Sequence, residues 1–243
     1  MNLRKSLRSF VVHAFYSGPF RFLNRYFVLQ SRSTQAQWAR KSDQAPWSGF
    51  YDYANSARND DRDDVVRLQF LLLALQRIER LGIAGDVAEL GVYRGNTAEF
   101  IRVMSPRHLH LFDTFTGFDS RDADGSPGTF SDTDLASVQK RVGMSGCTYY
   151  EGYFPESARG LDLGRRFALV HIDLDLEKPI RAALGYFDPL LSPGGVMVVH
   201  DYNNTGSWNE GARRAVDDFL KDHPYSLTEM PDHYGSVILT KPA

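Results

Sequence analysis

Among 243 residues there is one cysteine, Cys147. That excludes an internal disulfide and any metal site built from several thiolates, and it suits a reducing, cytoplasmic setting. No apolar run is long enough to cross a bilayer, so no membrane span is expected. The stretch from Ser9 to Phe20 follows Arg4, Lys5 and Arg8, but His13 and Gly18-Pro19 break it, Arg21 and Arg25 follow it, and a small-residue cleavage site is missing. It reads as a retained arm rather than a secretion signal. A P-loop and a G-x-S-x-G nucleophile elbow are both absent, which argues against P-loop phosphate chemistry and serine hydrolysis. No internal repeat and no low-complexity tract occur, and no nucleic-acid partner is expected.

What is present is an ordinary globular composition, 42% hydrophobic and 24% charged, long enough for one sizeable core. The formal net charge of −2 hides an asymmetry: residues 1–50 carry +7 and the remainder −9. Residues 1–60 are irregular and rich in rings, from Phe10, Phe15 and Phe20 to Trp47, Phe50 and Tyr51. Apolar area left in water costs roughly 25 cal/mol per Å², so this arm is expected to pack on the body or on a second copy of the chain, as a lid or an oligomer contact. The expected division is an arm over 1–60 and a single domain over 61–243.

From Asp63 to Leu81 the apolar residues recur at helical spacing, and Gly82 offers a stop. The chain then alternates. Strands are expected at Val87–Leu90, His108–Phe112, Cys147–Tyr150, Phe167–Ile172 and Val196–Val199. Helices are expected from an Asn96 or Thr97 cap to about Met104, and over about 134–142, 179–190 and 210–221. Pro193-Gly194-Gly195 reads as a turn, and two last strands fall near Ser226 and Val237–Thr240. This pattern predicts an α/β fold, a mainly parallel seven-stranded Rossmann-like sheet with helices on both faces.

Five acids, Glu89, Asp113, Asp173, Asp175 and Asp201, map to the carboxyl ends of these strands, where ligands bind in such sheets. Gathering like charges there is prohibitive without cations or polar partners, so the mouth suits a cationic ligand, a metal, or both. Gly91-Val92-Tyr93-Arg94-Gly95 gives G-x-x-x-G rather than G-x-G-x-x-G. Asp113 follows Gly91 by 22 residues, near the ~20 of a carboxylate that grips ribose hydroxyls. In His171-Ile172-Asp173-Leu174-Asp175 two acids two apart can diverge, one toward a metal and one toward substrate, or Asp175 can cap the next helix. In His200-Asp201-Tyr202, Asp201 is a hard oxygen ligand suited to magnesium, while His200 can be a ligand, a general base or a core histidine.

Glu89-Leu-Gly-Val-Tyr-Arg-Gly95, Phe112-Asp-Thr-Phe-Thr-Gly-Phe118, His171-Ile-Asp-Leu-Asp175, Pro193-Gly-Gly195 and His200-Asp-Tyr202 together resemble the macrocin O-methyltransferase (TylF-like) family over about residues 60–243. The resemblance implies a class I methyltransferase fold, S-adenosylmethionine (SAM) as methyl donor, sugar hydroxyls of natural products as acceptors, and magnesium. It implies that Glu89, Gly91, Val92, Tyr93, Gly95, Asn96 and Thr97 line the methionine part of SAM. Asp113, with Thr114 beside it, would hold the ribose, and Gly152 and Tyr153 part of the adenine wall. Asp173, also counted against the cofactor, and Asp201 are implied as metal ligands, and Asp175 as general base. His200 stands where the family usually has a first aspartate. Imidazole is a poorer partner for magnesium, so metal dependence is weakened or shifted toward manganese, iron or zinc. Three alternatives stay open: a methyltransferase for catechol-like phenols, a non-catalytic SAM-binding protein, and, disfavoured by the missing third glycine, a nicotinamide oxidoreductase.

Overall fold

The computed structural model describes residues 49–50, 53–54, 56–60, 64–122, 128–204 and 210–243. Met1–Ala57 and Arg58–Ala243 form separate compact units. The basic, ring-rich arm lies mostly outside the described residues. No helix among those described is long and apolar enough to cross a membrane.

Helix α1 (Val65–Arg80) begins where the Asp64 carboxylate accepts a bond from the Arg67 N–H, and it buries Leu68, Leu71, Leu72, Leu75 and Ile78 on one stripe. Then follow β1 (Asp86–Leu90), α2 (Asn96–Met104), β2 (Leu109–Asp113), α3 (Leu135–Val142), β3 (Cys147–Glu151), a short 3₁₀ turn (Glu156–Gly160), β4 (Phe167–Ile172), α4 (Glu177–Phe187), β5 (Leu191–Val199), α5 (Gly211–Asp222), β6 (Ser226–Glu229) and β7 (Val237–Thr240). The sheet order is β3-β2-β1-β4-β5-β7-β6. β1 to β5 run parallel, and β7 enters antiparallel between β5 and β6.

Two local details differ from the sequence reading. The residue preceding α2 is Gly95 in the left-handed conformation, with no side-chain cap, because Val138 and Val142 of α3 press within 3.0–3.2 Å of where a Cβ would stand. The Pro193-Gly194-Gly195 turn is a bulge inside β5: Phe167 pairs with Leu191 but Leu169 with Val196, so the extra residues loop out without ending the strand.

Alternation along the strands sends Leu90, Phe112, Val170, Ile172, Met197 and Val199 into a core with α4 and α5. Phe187 of α4 sits at its centre, 5.1 Å from the Phe167 ring and 5.9 Å from Phe112. The intervening residues, Glu89 and His171 among them, take the opposite face. Strand order reverses between β1 and β4, and a crevice opens there beyond the strand ends.

Candidate active site

A cavity of about 580 Å³ occupies that crevice, within the usual range for small-molecule sites. Its floor is made by the loops that follow β1, β2 and β4. Gly91 (φ +82°) is forced: an added Cβ would lie 1.8 Å from the Asp173 carbonyl oxygen. Asp113 braces the same loop. One carboxylate oxygen accepts from the Val92 and Tyr93 N–H groups at 2.6 and 2.9 Å, the other from Phe115 N–H at 2.6 Å. The Thr114 hydroxyl donates to the Gly117 carbonyl at 2.7 Å. Tyr93, Phe115, Asp175 and Asp201 all hold positive φ without being glycine, a concentration of strain typical of functional loops.

Of the residues singled out from sequence, Gly91, Tyr93, Asp113, Thr114, Gly152, Tyr153, Asp173, Asp175, His200 and Asp201 line the cavity. Glu89 lies beneath it, 1% exposed, with one oxygen 3.0 Å from His171 Nδ1. Burial pushes its carboxyl above the usual range, and His171 only partly opposes this. Val92, Gly95, Asn96 and Thr97 stand behind the lining. Asn96 turns its side chain to Asp60 and Arg141.

Two site residues carried no sequence signal. Arg67 of α1 donates from Nη1 to Asp173 Oδ2 at 2.9 Å, and Asp64 Oδ2 lies 3.8 Å from His200 Nε2. Arg67 lies on, and Asp64 caps, a helix whose amphipathic spacing spoke only of packing. The walls are aromatic: Tyr93 and Phe118 meet Phe130 edge-on at 5.2 and 5.3 Å, and Tyr234 stands 5.7 Å from the His200 ring. Arg121 covers the Tyr153 ring at 3.9 Å, and the Tyr153 hydroxyl donates to Asp122 at 2.6 Å.

The charges are interlocked. Burial raises the Asp173 carboxyl, but His200 and Arg67 outweigh it and hold it well below the carboxylate range. Burial opposes a proton on His200, but Asp173, Asp201 and Asp64 outweigh that in turn and push it well above the ordinary imidazole value. Asp175 goes the other way: removal from water raises it, and the charges of Asp173 and Asp201 add to the effect.

His200 Nδ1 lies 2.9 Å from Asp173 Oδ1 and 3.1 Å from Asp201 Oδ2, so a single ring N–H faces two carboxylate oxygens at once. An imidazole nitrogen and two carboxylate oxygens grouped this closely suit a shared cation. Ligands at magnesium-like bond lengths stand roughly 3 Å apart along an octahedral edge. Two carboxylates and an imidazole therefore fit a divalent ion, which would take the place of the proton on His200.

A parallel sheet reversed at β1/β4, closed by an antiparallel β7 and carrying its cavity over the reversal, is the class I methyltransferase fold. The solved structure of the O-methyltransferase NovP superposes with a TM-score of 0.64 at 19% identity, covering 74% of this chain and 81% of that one. Residues 64–230 match the macrocin O-methyltransferase (TylF) family, and the chain belongs to it. One relative, the 8-demethyl-8-(2,3-dimethoxy-alpha-L-rhamnosyl)-tetracenomycin-C 4'-O-methyltransferase of Streptomyces olivaceus, is 27% identical over 157 residues, 56% of this chain and 60% of its own length. Another, the mycinamicin III 3''-O-methyltransferase of Micromonospora griseorubida, is 27% identical over 159 residues, 56% of this chain and 62% of its own. The chain thus spans about three fifths of the curated relatives it matches.

Proposed function

We propose that this chain is a SAM-dependent O-methyltransferase that methylates a sugar hydroxyl of a natural product, nucleotide sugar or glycan. The observation that carries the reading is the convergence of Asp113, Asp173, Asp175, His200 and Asp201 on one cavity above the Gly91 loop. Family membership supports the donor, and the relative named for methylating a rhamnosyl-tetracenomycin supports the acceptor class.

The Gly91 loop and Asp113 hold the donor's methionine and ribose parts, and Gly152 and Tyr153 flank its adenine. The acidic rim favours the sulfonium and ammonium charges over a pyrophosphate. The acceptor hydroxyl loses its proton to Asp175 as its oxygen attacks the methyl carbon. The new C–O bond forms as the S–CH₃ bond breaks, and sulfur keeps the electron pair as a neutral thioether. A carboxyl raised by its surroundings is a better base than a free one, and such help is worth ~10²–10⁴ in rate. Holding oxygen, carbon and sulfur in line supplies much of the rest. Asp173, His200 and Asp201 would hold a divalent ion, magnesium or manganese, which supplies charge stabilisation to an oxygen losing its proton. The 1–60 arm is assigned to a lid or self-association contact on its charge opposite to the body, and the 61–243 domain to catalysis in the cytoplasm.

The test is transfer of isotope-labelled methyl from SAM to glycosylated acceptors, with and without chelator. Labelling of a sugar oxygen is expected, and it is expected to fall on chelation. Transfer only to simple catechols would replace the acceptor class. Donor binding with no transfer to any acceptor under any metal would leave a binding protein, and activity indifferent to chelator would remove the ion.

A further inference from the structure

His200 has a second nitrogen, and its surroundings are unusual. The residue is 5% exposed and Asp64 is 3% exposed. Nε2 of the one and Oδ2 of the other face each other at 3.8 Å, longer than a full hydrogen bond, and the same oxygen lies 3.4 Å from Arg67 Nε, which leaves it room for a second donor. Leaving a buried donor or acceptor unmatched costs about 1–3 kcal/mol, so a mutually facing pair is a match waiting on a small tilt of the ring. The other Asp64 oxygen is already engaged: it accepts from His233 N–H at 3.1 Å and, weakly, from Arg67 N–H at 3.4 Å. The carboxylate is thus pinned at the start of α1. Asp232 also lies close to this pair, but its oxygens accept from the Ser236 N–H and hydroxyl at 2.5 Å. Asp64 is therefore the acid left to receive Nε2.

We infer that Asp64 is a positioning residue: it takes the Nε2–H of His200, fixes that tautomer, and turns Nδ1 as a neutral donor toward the ion shared with Asp173 and Asp201. Histidine ligands commonly hand their second N–H to a carboxylate, which sets ring orientation and strengthens the donor. A nitrogen so prepared favours a first-row transition ion such as Mn²⁺ over Mg²⁺, which prefers oxygen. The inference rests on the ion assigned under the proposed function.

The experiment uses the full chain with S-adenosylhomocysteine and no acceptor, so that its readout is binding. Mn²⁺ affinity is measured by titration, Mg²⁺ by competition, and nitrogen coupling to Mn²⁺ by pulsed EPR. Asp64→Asn keeps a good helix cap and is expected to bind Mn²⁺ about 10–100-fold more weakly, with S-adenosylhomocysteine affinity unchanged. His200→Asp is expected to abolish the nitrogen coupling and to shift preference toward Mg²⁺. Mn²⁺ affinity and nitrogen coupling in Asp64→Asn equal to wild type would overturn the role of Asp64 while leaving the ion in place. Wild-type protein that binds S-adenosylhomocysteine but no divalent ion would overturn the ion itself, and this inference with it.

Discussion

Gly91 shows how far one residue can constrain the site. Its φ of +82° is strained for any side chain, and a methyl group would strike the Asp173 carbonyl at 1.8 Å. Gly91→Ala is therefore expected to cost more than about 1 kcal/mol and to abolish S-adenosylhomocysteine binding. Thermal melts and titration check both, and normal binding would mean that the loop yields. Asp175 makes the complementary case. Asp175→Asn keeps shape and removes basicity, so donor affinity should persist while turnover drops by ~10²–10⁴. Single-turnover rates read this directly, and a rate equal to wild type would move the base elsewhere.

At the scale of elements, α4 is held to the sheet by Phe187, fully buried against Phe112, Phe154 and Phe167. Phe187→Ala should cost about 3–5 kcal/mol in denaturant unfolding, with donor affinity retained wherever the variant is folded. The elements themselves were largely legible. β4 is an apolar run interrupted only by His171, and the helix spacing of α1 is plain. The exceptions share one cause, contact between residues distant in sequence. Gly95 replaces a side-chain cap because α3 packs on it, and the Pro193-Gly194-Gly195 turn sits within β5 because β4 pairs on both sides of it. For the site, strand-end position located the acids that line the cavity but not Glu89, whose alternation turns it under the sheet to His171. Arg67 and Asp64 were invisible because nothing local distinguishes a cap and a helix arginine from those that reach a cleft.

At the scale of the whole molecule, stability should depend on pH through a network at the opposite end of the sheet. His110, 1% exposed, lies 3.0 Å from both Asp86 Oδ2 and the Tyr150 hydroxyl. Burial lowers its pKa, with Asp86 opposing only in part. The unfolded chain therefore takes up a proton near pH 6.5 that the folded chain refuses, so His110 removes stability as pH falls below that value. The melting temperature of His110→Gln should thus fall less than that of wild type between pH 7.5 and 5. Parallel curves would show that His110 does not carry the effect.

The bonds from Asp113 to the backbone after β1 and β2, and the packing of Gly91 on the chain after β4, bolt three loops into one slab. A slab cannot flex to greet a new guest. Variety in what is methylated would then have to be written in the aromatic walls, at Phe118, Phe130 and Tyr234, and a designer seeking new acceptors should redecorate there and leave the foundation alone.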